Sequence, residues 1–388
     1  MKKMKKMMLL GLLACLLAGC SGGPDGDATD PELLGDLKAY IEANHMAPDD
    51  YIVSRFRDHD VIFLGEVHRV KHQVEFVSNL IPELYANGIY YLGTEFGRRE
   101  DQALIDSLIM SPEYDEALAR EITLRQYVFW GYEEYVDIYR AAWEVNRGRP
   151  ENVPPFRILG LNNSPDWSQV ASRADRDRGD IMKKVWHGQT EEDWARVILD
   201  SVVARGEKML VYSGMHHAFT EYRQPVVVDG EFIRFGDVRM GNYVYEAIGK
   251  RAISIFMHGP WNSSEGYDSG LVRPADGVID RVMAEVDPDL LPVGFDTGGS
   301  PFGNLTGETS LYSRGYDNFT LSMFCDGYIY TRPFEQYEGV TPIPDFIDDG
   351  NIDYARAQSP DPDFRERSPQ DFNQAIARHA DLNRWRLR

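Results

Sequence analysis

The sequence predicts an α/β fold, with a mainly parallel central sheet flanked by helices, and three observations predict it. Short apolar runs stop at a glycine, as in Asp60-Val61-Ile62-Phe63-Leu64-Gly65 and Met209-Leu210-Val211-Tyr212-Ser213-Gly214. Such runs suit strands buried on both faces. Between the first run and a second at 89–97 lies a stretch, 70–87, with Val74, Val77, Leu80, Ile81 and Leu84 spaced for one buried stripe and Gly88 as its stop. Strand, helix and strand within about 35 residues make the βαβ unit of a parallel sheet. Finally, the strand exits release acids, amides and imidazoles, at the edge where open α/β sheets bind ligands.

In chain order, residues 1–19 read as a leader. Lys2, Lys3, Lys5 and Lys6 give a basic start, and Met7 to Leu17 form an apolar core too short to span a bilayer. Leu17-Ala18-Gly19-Cys20 resembles the lipobox of bacterial lipoproteins, which implies cleavage before Cys20 and acylation of its thiol, with palmitate-type chains as the anchor. Ser21, where an aspartate would signal retention, resembles the outer-membrane sorting pattern. The expected address is therefore the outer membrane, facing the periplasm or the cell surface. Residues 20–31 read as a flexible tether. A single α/β domain is expected over 32–338, with a helical excursion at 98–150 interrupted near Ser111-Pro112, and a surface-hugging tail over 339–388. Further strands are expected at 156–163, 252–259, 291–296 and 327–330, and a hairpin turning at Asp229-Gly230.

Of 388 residues, 43% are hydrophobic, enough for a sizeable core. Losing the four leader lysines leaves 37 basic against 62 acidic residues, a net −25. A surface so acidic repels nucleic acid and anionic headgroups, so acyl chains rather than charge would hold the protein to a membrane. Cleavage and acylation leave Cys325 as the one free thiol, which excludes an intrachain disulfide.

The strand exits carry Glu66 and His68, Glu95, Asn162, His216 and His217, and His258. One histidine after a strand is usually a packing or surface residue; the repetition of Gly-x-x-His at 65–68 and 214–217 singles these out. Imidazole with carboxylate suits zinc, manganese, cobalt or iron better than magnesium. On that reading His68, Glu95 and His217 are metal ligands, Glu66 is the base, and His216 or His258 stabilises developing charge. The same residues permit a metal-free route in which a histidine paired with a carboxylate activates water. They also permit binding without catalysis, with histidine on haem iron. No Gly-x-Ser-x-Gly elbow is present, and Gly65-Glu66-Val67-His68 lacks the spacing and lysine of a phosphate loop.

Gly65-Glu66-Val67-His68, Glu95, Gly214-Met215-His216-His217, Val293-Gly294-Phe295-Asp296 with Ser300-Pro301-Phe302-Gly303, and Asp326-Gly327-Tyr328-Ile329-Tyr330 together resemble the superfamily that joins erythromycin esterases, Tiki-type proteases and ChaN-like haem-binding lipoproteins. The resemblance spans about 60–333. It implies an α/β fold with a site built from Glu66, His68, Glu95 and His217. It implies a metal-dependent peptidase, a lactone hydrolase or a haem binder, according to branch. The expectation is a lipid-anchored, metal-assisted hydrolase of ester or amide bonds acting on a small molecule or peptide, with a haem-uptake lipoprotein as the alternative.

Overall fold

The computed structural model describes residues 30–388 apart from 268, 386 and 388. The leader at 1–19, acylation at Cys20 and nearly all of the tether lie outside the described residues. Pro31, placed at the end of the tether, opens the first helix, Pro31–Asn44, where the Asp30 carboxylate accepts from the Glu32 amide at 3.0 Å. Its buried face carries Leu37 and Ile41.

The described strands are β1 (Val61–Glu66), β2 (Tyr91–Arg98), β3 (Arg157–Asn162), β4 (Met209–Gly214), β5 (Pro225–Val228), β6 (Glu231–Phe235), β7 (Ala252–Met257), β8 (Trp261–Asn262), β9 (Leu271–Val272), β10 (Val293–Asp296) and β11 (Gly327–Tyr330). Seven of them form the central sheet in the order β10-β11-β7-β1-β4-β2-β3. Every neighbouring pair is parallel except β10 with β11. The fold is α/β, with β1 at the centre and β4 and β7 on its flanks. The carboxyl ends of β1, β2, β3, β4, β7 and β11 therefore share one edge.

Alternation of side chains along β1 splits the core into two layers. Ile62 and Leu64 join Val74, Leu80 and Tyr139 on one face; Val61 and Phe63 join Ile198, Val244 and Ile279 on the other. Helix Lys71–Ala86 follows β1 and buries Val74, Val77, Leu80, Ile81 and Leu84, the stripe read from the sequence. The β5–β6 hairpin turns where expected, with Asp229 at φ 50° and Gly230 at φ 79°, the left-handed pair that a tight hairpin turn requires. Among the described residues no helix is long and apolar enough to cross a membrane.

Helices Gln102–Ile109, Glu116–Gln126 and Glu133–Gly148 make up the excursion between β2 and β3, and the first of them stops just before Ser111-Pro112. The segment after Gly339 differs from the surface-hugging tail expected of it. Val340, Ile343, Phe346, Ile347, Phe372, Ala375 and Ile376 are buried in the same core layer as the strands. Its backbone also pairs with the excursion, the Glu133 amide donating to Thr341 and the Ile343 amide to Gly131 at 2.9 Å each. The prolines and aspartates that suggest a loose tail are turn and cap residues between apolar anchors. Phe372→Ala is expected to cost roughly 3–5 kcal/mol, as for any large side chain removed from a core. Urea unfolding measures it, and a loss under about 1 kcal/mol would mean the segment merely lies on the surface.

Candidate active site

Glu66 is the last residue of β1, and its carboxylate is fully buried. It lies on the face of the sheet covered by helix Glu133–Gly148, so Tyr135 comes down onto it. The Tyr135 hydroxyl donates to Glu66 Oε1 at 2.7 Å, and the Tyr212 hydroxyl, from β4, donates to Oε2. Burial, and then the adjacent Glu66 charge, hold both phenols well above their ordinary pKa, so they stay protonated donors. The remaining partner of Oε1 is His68 Nδ1 at 2.7 Å.

The turn that delivers His68 is held by unusual backbone. Arg69 has φ 69°, in the left-handed region that non-glycine residues seldom enter. Its guanidinium lies 4.3 Å from the Trp130 ring centroid and donates through Nε to the Tyr132 hydroxyl at 3.1 Å. Its amide donates to Tyr135 at 3.2 Å. The aromatic excursion thus clamps the turn, and Trp130 meets the His68 ring edge-on at 5.2 Å. With Nδ1 donating to Glu66, His68 Nε2 carries the lone pair, and the ring, 37% exposed, faces the cleft.

Glu95 Oε2 accepts from the Gly214 amide at 2.9 Å, at the tip of β4. Its two oxygens stand 3.6 Å from His68 Nε2 and 3.5 Å from His217 Nε2. On the other side of that ring, His217 Nδ1 forms an ion pair with Glu191 at 3.0 Å. Glu191 begins helix Glu191–Ser201 and also receives Arg239 Nη1 at 2.6 Å and the Met240 amide at 2.9 Å. Burial alone would lower the pKa of His217, but Glu191 and Glu95 outweigh it and raise it to about 9. Burial likewise opposes ionisation of Glu191, but His217 and Arg239 bring it down to about 2. At neutral pH this pair is an imidazolium on a carboxylate. His216, by contrast, is driven well below its usual value by burial and then by Arg239, His217 and His68, so it is neutral. Its Nε2 meets the Tyr312 hydroxyl at 2.6 Å.

A cleft of about 240 Å³ is lined by Glu66, His68, His216, His217, Asn262 and Tyr312, with Arg384 and Trp385 of the C-terminal segment at its rim. The structure thus brings five of the six chosen side chains into one constellation: Glu66, His68, Glu95, His216 and His217. His258 stands apart. It is fully buried, with Nδ1 2.9 Å from the Tyr328 hydroxyl, Nε2 3.4 Å from Asp280 and Phe334 stacked on its ring. Nor does Glu66 have an open face from which to act as a base; its oxygens already serve three donors, and His68 takes the position next to the cleft.

Among the described residues no three His, Cys, Asp or Glu side chains are arranged to hold a metal ion. His68 and His217 flank the Glu95 carboxylate.

Sequence reasoning passed over Tyr135, Tyr212, Glu191 and Arg239. Tyr212 had a usable signal, since its register partner Leu64 shares a face with Glu66. For Glu191, 26 residues before His217 in the sequence, no local pattern pointed to the site. Gly214 is required by close approach, because a Cβ there would sit 2.6 Å from His68 Cε1 and 2.9 Å from Nε2. Gly214→Ala is expected to displace the imidazole while leaving the fold intact; an unchanged His68 ring resonance in NMR would show that the ring tolerates the shift.

No family model matches the chain, and no curated protein matches it. Solved structures do. A succinoglycan biosynthesis protein superposes with a TM-score of 0.52 at 10% identity, over 82% of this chain and 100% of that one. The likeness is one of fold. An erythromycin esterase mutant in its open conformation matches at TM-score 0.46 and 11% identity, over 80% and 97% of the two chains. A haem-binding ChaN of Campylobacter jejuni matches at 0.36 and 12%, over 60% and 93%.

Proposed function

We propose that this protein is a metal-independent hydrolase of ester or amide bonds in which His68 is the general base. The observation that carries the reading is the Glu66–His68 pair at 2.7 Å, with Nδ1 committed to a buried carboxylate and Nε2 left to the cleft. A histidine so oriented takes a proton from water, as in other carboxylate–histidine pairs. The water oxygen attacks the substrate carbonyl carbon and its proton passes to His68 Nε2. Negative charge then develops on the carbonyl oxygen, beside the His217 imidazolium that Glu191 holds charged. As the tetrahedral intermediate collapses, the C–O or C–N bond breaks and His68 returns the proton to the departing alcohol or amine. Glu66, Tyr135 and Tyr212 position the base, while Glu191 and Arg239 position the charge stabiliser.

Lipid attachment at Cys20, with an outer-membrane address, belongs to the same reading and rests on the lipobox-like Leu17-Ala18-Gly19-Cys20. One set of preparations tests both parts. Wild type is expected to hydrolyse p-nitrophenyl acetate in the presence of a chelator, with His68→Ala reduced roughly 10²–10⁴-fold. Cys20→Ser is expected to lose incorporation of labelled palmitate. Activity that chelation abolishes, or a Soret shift on haem addition that His68→Ala removes, would overturn the metal-free hydrolase. Palmitate retained by Cys20→Ser would overturn the anchor.

A further inference from the structure

A second and larger cavity, of about 810 Å³, opens on the far side of Glu95 and His217 from the first cleft. Both residues line it, so a ligand lying there reaches the reacting groups. Its walls are of two kinds. Trp186, Trp194 and Tyr243 supply aromatic surface, with Trp194 also stacked on the His217 ring at 5.0 Å. Between them stand side-chain amides from the β3 exit and from the loop before helix Glu191–Ser201: Asn162, Asn163 and Gln189.

Those amides are underused. Asn162 Oδ1, Asn163 Oδ1 and Gln189 Oε1 are buried acceptors without a hydrogen-bond partner, and Arg223 Nε in the same wall is a buried donor without one. Asn163 is only 4% exposed. A buried polar group without a partner is costly, so several in the wall of one cavity call for a ligand or ordered solvent that pairs with them. The charged groups lining it balance: Glu95, Glu191 and Asp237 against His217, Arg223 and Arg239. That balance favours a neutral ligand over an anion or a cation.

Resting on the hydrolase reading, we infer that this cavity is a carbohydrate subsite that holds a neutral glycosyl unit of the substrate, with the scissile acyl bond directed past Glu95 toward His68. A sugar ring offers an apolar C–H face to aromatic walls and a rim of hydroxyls that both donate and accept. Unpaired amide oxygens take hydroxyl protons, and the guanidinium N–H gives to a hydroxyl oxygen. The volume falls within the range of small-molecule sites.

Binding tests the subsite independently of turnover. The full-length protein and its His68→Ala variant are titrated with maltotriose, cellotriose, chitotriose and lactose, following tryptophan fluorescence and checking by calorimetry. Adenosine serves as a neutral, planar control. At least one saccharide is expected to bind saturably, with equal affinity for wild type and His68→Ala. Asn163→Ala and, on the half-exposed wall, Trp186→Ala are each expected to weaken that binding about tenfold, with circular dichroism establishing that they fold. Binding of adenosine alone, no saccharide binding, or affinity unchanged in both wall variants would overturn the subsite. Saturable sugar binding in a protein without esterase activity would keep the subsite and remove the hydrolase reading, so the two failures are distinguishable.

Discussion

Glu66→Gln is expected to lower kcat for ester hydrolysis by roughly 10²–10⁴-fold with little change in KM. The carboxylate serves three donors at once: His68 and Tyr135 on Oε1, and Tyr212 on Oε2. An amide of the same shape has one acceptor oxygen and two hydrogens to place. If its nitrogen faces His68, the imidazole must accept at Nδ1 and carry its proton on Nε2, where it cannot take another from water. If its oxygen faces His68, the tautomer survives, but the charge that stabilises the imidazolium is gone. Either way the base is impaired, and the acid limb of kcat against pH is displaced, which loss of packing alone would not do. Kinetics across pH with the folded variant check this. An unchanged kcat would mean that Glu66 merely fills space and that another group takes the proton.

The next largest effect is expected at Glu191. In the folded protein His217 rises from 6.5 to about 9, so the stabilisation it contributes is complete below about pH 6.5 and fades as pH climbs through 9. Glu191 falls from 4.5 to about 2, so its contribution is complete above pH 4.5 and is lost as pH drops toward 2. These are two views of one coupled ion pair and are not summed. The displacement of His217 corresponds to about 3 kcal/mol, nearer about 2 once screening at the exposed quarter of its side chain is allowed for. Glu191→Gln is therefore expected to cost about 2–3 kcal/mol at pH 6 and distinctly less at pH 10, where wild type has already lost the term. Urea unfolding at the two pH values measures the difference. An equal loss at both would show that the carboxylate's bonds to Arg239 and the Met240 amide, rather than His217, carry its effect.

What could be read in advance follows from the range of the forces involved. The parallel strands, the helix between β1 and β2 and the hairpin turn at Asp229-Gly230 are local patterns of apolar spacing and backbone preference. They carry the same meaning wherever the segment ends up. Glu66, His68, Glu95 and His217 were legible because a parallel sheet delivers its strand exits to one edge. His258 shares that strand-exit context, but β11 and helix Val278–Glu285 reach its ring first and bury it between Tyr328 and Asp280.

By itself, then, the sequence determined the sheet, the edge at which the chemistry gathers and most of the residues that gather there, because periodicity and strand polarity are properties of short stretches. Tertiary structure alone decided what each of them touches. Burying Glu66 under Tyr135 left its carboxylate paired with His68 Nδ1. Placing Glu191 behind His217 gave that imidazole a buried carboxylate partner. Folding the C-terminal segment back onto the excursion brought Arg384 and Trp385 to the rim of the cleft. Protonation state and access depend on distances between atoms that lie far apart along the chain, and only the packed molecule sets those distances.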